Sequence, residues 1–311
     1  MSAVRSYEPF ELVRSSPGLA SYLEAVELRL DSLLGDGGGV IDRAASQTLH
    51  AGGKRMRPLL VFLSSPIDRP APVAAAVAVE LVHLASLVHD DLIDGAALRR
   101  GAPSIWSAFG KRIAMASGDC LFALAFSELA REGDPGGLEA LAEAALALTQ
   151  GEALQREQLF DPSTSVDDQL DRCARKTGAL FSVACRLGAG DVSSPLGDYG
   201  LALGIAFQIV DDILDCVAEA GETGKTPGTD LREGVPTVPL LLAAERDALV
   251  RAALAGGSCA GALERVAATG ALERSREIAR GYAREACGHL DGHCRAHALE
   301  ALAQVVVERT R

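Results

Sequence analysis

Aromatic side chains are scarce: 13 of the 311 residues, or 4%, are Phe, Tyr or Trp. Thr is sparse too, and no stretch sustains the apolar–polar alternation of a strand, so a β-sandwich or barrel is excluded. Ala and Leu dominate instead, the composition of an all-helical protein. A basic excess is also missing. The net charge of −12 argues against nucleic acid as a partner, since a nucleic-acid binder carries a basic face. The seven cysteines are scattered, with no C-x-x-C pair, and are expected to be reduced thiols that mostly fill the core. The first 16 residues carry charges throughout and no apolar core, so no secretory signal is expected. The long apolar runs are broken at Glu80, Asp119 and Asp211, so no membrane span is expected and a cytoplasmic location is inferred. Lysine is the rarest cation: only Lys54, Lys111, Lys176 and Lys225 stand among 30 Lys and Arg.

What is present is helical periodicity. Leu19, Leu23, Val26, Leu30, Leu33 and Leu34 mark a first helix, Val40 to His50 a second, and residues 73–94, 111–131 and 138–160 three long ones. A helix containing Arg175-Lys176-Thr177-Gly178 runs to Gly188, and another spans 198–217. Further helices fill Pro239–Leu254, Ala260–Ala268, Leu272–His289 and Ala296–Arg309. Ten or more helices with short connections and no low-complexity linker predict one all-α domain over 1–311. Near the C-terminus Cys287, His289, His293, Cys294 and His297 cluster; with Gly288 and Gly292 among them, a solvated helix end is the commoner outcome than a zinc site.

Two acidic motifs stand out: His89-Asp90-Asp91-Leu92-Ile93-Asp94 and Val210-Asp211-Asp212-Ile213-Leu214-Asp215, 121 positions apart, each near the end of an apolar helix. In a D-D-x-x-D the first and last Asp stack on one helix face. Carboxylates at a helix C-terminus oppose the macrodipole and repel each other. A bound cation removes both objections, and Mg²⁺ takes one or two carboxylates plus substrate phosphates. Cations punctuate the surrounding segments. Gly52-Gly53-Lys54-Arg55-Met56-Arg57-Pro58 looks like an anion cradle at a helix start, though a capped, solvated turn explains it equally well. Arg99-Arg100-Gly101 follows the first motif, and Lys225 sits in a glycine-rich loop, Ala220 to Gly234.

These segments resemble, in order and spacing, the all-trans polyprenyl diphosphate synthases, the isoprenyl chain-elongation family. The likeness covers about residues 50–240. Its segments are Gly52–Pro58, His89–Asp94 with Arg99-Arg100-Gly101, Lys176–Leu180, Gly204–Asp215, and Gly224-Lys225 with Gly228–Gly234. The resemblance implies an all-α bundle around a deep central cavity, a homodimer, and a head-to-tail condensation of isopentenyl diphosphate with an allylic diphosphate. It implies Mg²⁺, three ions once substrate is bound, on Asp90, Asp94 and Asp211, supported by Asp91, Asp212 and Asp215. Arg99, Lys176 and Lys225 would hold the allylic diphosphate, and Lys54, Arg57, His83 and Arg100 the isopentenyl diphosphate. Thr177, Gln208 and the Lys176 backbone would turn oxygen dipoles toward the allylic cation. Transient membrane contact would serve product release.

Product length is read from the helix below the first motif. One turn before Asp90 lie Ala85 and Ser86, where short-chain members of the family often carry an aromatic floor. Small residues there predict a product of about C30 or more. Close helix packing is the competing explanation, and Met115, Phe122 or Phe126 could plug a tunnel from a facing helix. A C15 or C20 synthase is therefore an alternative. A class I terpene cyclase or a non-catalytic partner subunit fits less well: the chain is poor in aromatics, keeps both Asp motifs, and retains Lys54, Arg57 and Arg100 for a second diphosphate.

Overall fold

The computed structural model describes residues 13–34, 38–99, 101–217 and 228–309. Arg100, Gly224 and Lys225 lie outside the described residues. The regular structure of the described residues is helical, as the composition predicts, with one small exception. A two-residue antiparallel ribbon pairs Leu98 with Pro103 and Arg99 with Ala102. Its closing turn places Gly101 at φ +80°, a conformation that favours glycine. The ribbon is too short to leave a periodic trace in the sequence.

Contacts divide the chain into two compact units: one of residues 14–145 and 183–197, the other of 1–13, 146–182 and 198–311. The first is built on the helix Val73–Asp94, of which 13 residues from Ala75 to Asp91 are buried. A helix apolar on every side belongs in a core. It lies against the helix Lys111–Ala130 in the most extensive helix–helix contact among the described residues. Lys111–Ala130 buries a face of small side chains, Ala114, Ser117, Gly118 and Ala125, together with Leu121. Both helices are long and apolar enough to cross a membrane by length and composition alone, a test that core helices of folded domains also pass. In Val73–Asp94, two thirds of the apolar window (67%) is buried inside the protein, as in a core helix of a folded domain.

The second unit gathers the helices Leu196–Val217 (from Asp198 on), Val166–Cys173, Val238–Ala244 and Ala271–Cys287 around Ile205, Ile209, Ile213, Leu240 and Leu241. Between Cys173 and Ala179 the backbone widens into a π-helical turn, Ala174–Gly178. Single π turns interrupt an α-helix at a cost and commonly mark functional positions. All seven cysteines are free thiols, two of them (Cys173 and Cys185) buried. The His and Cys residues near 287–297 form no group of three metal-ligating side chains among the described residues.

Candidate active site

In the first unit, the acidic motif is set by where its helix stops. Gly95 takes φ +67°, and both Gly95 N–H and Ala96 N–H donate to the Asp91 carbonyl. This left-handed cap confines Asp90, Asp91 and Asp94 to the last turns of the helix. The three carboxylates then separate. Asp91 is buried, and Arg99 grips it with two parallel bonds, Nε to Oδ2 at 2.7 Å and Nη2 to Oδ1 at 2.5 Å. Such a fork is the strong form of the Arg–carboxylate pair. Asp90 is half-buried and Asp94 exposed. The ribbon Leu98–Pro103 turns Arg99 back onto the helix that precedes it. Arg99, expected on an allylic diphosphate, is thus paired with Asp91 in this structure.

The cation cluster at 54–57 also divides. Arg55 adopts φ +46°, unusual for a side chain other than glycine. It is held there by Glu27, through bonds of 2.5 and 3.1 Å, by Glu80 at 3.0 Å and by the Leu49 carbonyl at 3.2 Å. Glu80 is 2% exposed, so Arg55 is spent on neutralising a buried acid. The cations left beside Gly52 and Gly53 are the exposed Lys54 and the half-buried Arg57. His83 lies on the helix Val73–Asp94, two turns before Asp90, and its carbonyl accepts the Ser86 hydroxyl at 2.8 Å. Ala85 is fully buried and Ser86 is 7% exposed.

In the second unit, two glycines bring the helix Leu196–Val217 against the chain carrying Lys176 and Thr177. A Cβ on Gly200 would meet the Phe181 carbonyl at 2.5 Å, and one on Gly204 would meet Gly178 Cα at 2.6 Å. One turn beyond this close approach, Thr177 Oγ1 donates to Gln208 Oε1 at 2.8 Å, and Gln208 Nε2 donates to Asp212 Oδ1 at 2.8 Å. Gln169 Nε2 adds a longer bond to Asp212 Oδ2, 3.4 Å. An ionised carboxylate only accepts, so Asp212 turns the amide nitrogen of Gln208 toward itself and its oxygen toward Thr177. Asp212 is 3% exposed. Burial pushes its pKa up to about 7, against the pull of Gln208 and of nearby Arg172.

The other acids of the motif differ. Asp215 accepts the Thr229 and Asp230 backbone N–H groups at 3.2 and 3.0 Å. It thereby anchors the chain where it returns at Gly228. Asp211 keeps 44% of its side chain exposed and pairs with Arg309 at 2.7 Å.

Several partners here carried no signal in the sequence. Lys176 Nζ donates to Glu152 and, at 3.1 Å, to Gln155. Glu152 and Gln155 are three apart on one helix face, a spacing that is visible but common. Gly151 lets that helix approach closely, since a Cβ there would lie 2.9 Å from the Lys176 nitrogen. Arg172 is buried on Gln158 and the Pro236 carbonyl, 3.0 and 3.1 Å away.

Carboxylate oxygens are donors that suit a hard divalent cation. In the first unit Asp90 is half-buried and Asp94 exposed, in the second the Asp211 side chain is 44% exposed, and the middle Asp of each motif is held by a protein partner. No ready-made cage of three metal-ligating side chains exists among the described residues. Mg²⁺ does not require one, because it keeps several waters and completes its shell with phosphate oxygens.

Comparison with known proteins identifies the family. The sequence profile of the family described as Polyprenyl synthetase matches residues 39–265. The heptaprenyl diphosphate synthase component 2 of Geobacillus stearothermophilus is 37% identical over 274 residues, 85% of this chain and 86% of its own. The octaprenyl diphosphate synthase of Escherichia coli is 34% identical over 294 residues, 88% of this chain and 91% of its own. The crystal structure of a polyprenyl synthase from Caulobacter crescentus, complexed with calcium and isoprenyl diphosphate, superposes with a TM-score of 0.89 at 32% identity and covers 97% of this chain and 98% of that one. The chain belongs to the polyprenyl synthetase family.

Proposed function

We propose that the protein is a Mg²⁺-dependent trans-prenyltransferase that adds isopentenyl diphosphate head to tail onto an allylic diphosphate and makes an all-trans polyprenyl diphosphate of C30 or longer. The observation that carries this reading is the shared division of the two Asp motifs within a chain of this family. In each, the middle Asp is buried on a protein partner and the first Asp keeps solvent access. The family resemblance and the names of the relatives, hepta- and octaprenyl synthases, support the activity and the product class.

Bound Mg²⁺, three ions with substrate, would neutralise the charge that develops on the departing diphosphate. Asp90, Asp94 and Asp211 are assigned as its ligands, with Asp91, Asp212 and Asp215 in support. Lys176, Arg99 and Lys225 are assigned to the allylic diphosphate, and Lys54, Arg57, His83 and Arg100 to isopentenyl diphosphate. The chain's own contribution to the cation follows from the Thr177–Gln208–Asp212 relay. The carboxylate fixes the amide, and the amide fixes the hydroxyl proton, so oxygen lone pairs rather than N–H groups are available to an electron-poor carbon. No side chain in these motifs is an evident base, which leaves the released diphosphate to take the last proton. The family profile runs through residues 39–265, which supports assigning the whole chain of 311 residues as one catalytic domain.

Small, buried Ala85 and Ser86 below Asp90 are assigned to the path of the growing chain. A cytoplasmic homodimer with brief membrane contact at product release is the assembly proposed. One relative is named as a component, so a partner of different sequence is the competing assembly. The test is product analysis with purified protein, isopentenyl diphosphate and each allylic primer in turn, with and without EDTA. Products of C30 or longer that vanish with EDTA are expected. A sole product of C15 or C20 would overturn the length assignment, and turnover with farnesyl diphosphate alone would make the protein a cyclase.

A further inference from the structure

The first Asp of the second motif already has a cation. Arg309, close to the C-terminus, places Nη2 2.7 Å from Asp211 Oδ1 and donates from the same nitrogen to the Phe207 carbonyl at 2.5 Å. Its guanidinium lies 3.8 Å above the centre of the Phe207 ring. Phe207 stands one turn before Asp211 on the helix Leu196–Val217, so one side chain is held by an ion pair, a carbonyl and an aromatic face at once. The side chain of Arg309 is 12% exposed.

Two details show that this seat is incompletely matched. Arg309 Nε is buried without a hydrogen-bond partner, an expensive state for a guanidinium N–H. Beside Arg309 a cavity of about 310 Å³ opens, lined in part by Val210, Leu214, Arg276 and Val307. The pair thus combines three attractive contacts with one unsatisfied donor beside open space.

We infer that Arg309 is the resident counter-ion of Asp211 in the metal-free protein, and that it must release Asp211 before a divalent cation is held there. This rests on the assignment of Asp211 as a metal ligand. Arg309 is a positioning residue: it keeps the Asp211 carboxylate neutralised and aimed while no ion is present, and sets a threshold for metal binding at that carboxylate. A metal and a guanidinium compete for the same oxygen, so their occupancies are linked.

The test is direct titration with Mn²⁺, in the presence of inorganic pyrophosphate, followed by the electron paramagnetic resonance of free Mn²⁺. It uses the full chain, Arg309→Gln, Arg309→Lys, Asp211→Asn and the Asp211→Asn/Arg309→Gln double variant. Arg309→Gln should tighten Mn²⁺ binding by about fivefold, the equivalent of a ~1 kcal/mol ion pair. Arg309→Lys should fall between Gln and the parent. In the Asp211→Asn background the Arg309→Gln change should have no effect. Equal Mn²⁺ affinity in the parent and Arg309→Gln, with Asp211→Asn weaker than both, would overturn the role of Arg309 and leave the metal assignment standing. Unchanged Mn²⁺ binding in Asp211→Asn would overturn the metal assignment, and the inference with it. Circular dichroism melts of each variant separate these outcomes from loss of fold.

Discussion

The two D-D-x-x-D motifs are spelled alike and wired differently. In the first unit, the buried middle acid Asp91 meets a full positive charge, the forked guanidinium of Arg99. In the second, the buried middle acid Asp212 meets amides, Gln208 and Gln169, and its pKa climbs to about 7 under burial. The leading acids differ in setting. Asp211 pairs with Arg309 six residues before its helix ends, and Asp90 sits half-buried in the last turns of its own helix. One five-residue pattern therefore hosts two electrostatic designs. The first neutralises its buried acid with a full charge. The second uses its buried acid to orient an amide and a hydroxyl.

The comparison predicts a graded set of effects. Replacing the leading acids, Asp90→Ala or Asp211→Ala, should lower kcat by about 10³-fold, the scale seen when a charge-stabilising group is removed from a transition state. For Asp90→Ala the melting temperature should hold or rise, because mutual repulsion at a helix end is relieved; Asp211→Ala should lower it, because the Arg309 guanidinium, 12% exposed, loses its counter-ion. Steady-state kinetics and calorimetry check the two halves, and a large loss of stability in Asp90→Ala would mean that this acid is structural. Asp212→Asn should lower kcat by about tenfold, because the amide it introduces can also donate and no longer dictates the Gln208 orientation.

The same residue predicts a pH signature. The folded chain holds the Asp212 proton up to about pH 7, while the unfolded chain releases it near the ordinary carboxylate value of about 4. The contribution of Asp212 to stability is thus complete below that lower value and is lost as pH rises through 7. Activity that depends on the ionised form rises over the same window. Melts from pH 4 to 8 should show this slope in the parent and a flatter one in Asp212→Asn; parallel curves would remove Asp212 from the argument.

Asp91→Asn breaks the other design. It leaves the Arg99 guanidinium beside a buried amide and should destabilise by about 3 kcal/mol, the penalty for one partner removed from a buried pair. Double replacement with Arg99→Met should recover part of that loss in denaturant unfolding. The smallest effect concerns how the first motif is seated. His89 Nε2 lies 3.3 Å from the Met115 carbonyl, over a gap left by Gly118. A Cβ on Gly118 would fall 2.2 Å from that nitrogen, so Gly118→Ala should displace His89 and cost about 1 kcal/mol. An unchanged melting temperature would show that the ring moves aside freely.

Much of this was legible beforehand. Helix content, the positions of both motifs and the glycine pair before Lys54 are local patterns, and local patterns survive in a linear string. The joint role of Thr177 and Gln208, 31 residues apart, came only from the family resemblance. The ribbon at 98–103 and the π turn at 174–178 did not show, because each is too short to build a period. Glu152 for Lys176, Glu80 for Arg55 and Arg309 for Asp211 were invisible for another reason. Those pairs are 24, 25 and 98 residues apart, and nothing in a sequence marks which of 42 acids will meet which of 30 cations.

The sequence by itself determined the class of chemistry. Carboxylates at helix-turn spacing, cations beside glycines and an apolar, aromatic-poor background leave few activities besides metal-assisted handling of a diphosphate. Tertiary structure alone decided how each acid is buried and partnered. Asp90 and Asp91 are neighbours in sequence and identical in chemistry, yet one is left half-buried and the other is buried against Arg99. Burial and the identity of the partner set the charge, orientation and availability of a carboxylate, and both are properties of the folded chain.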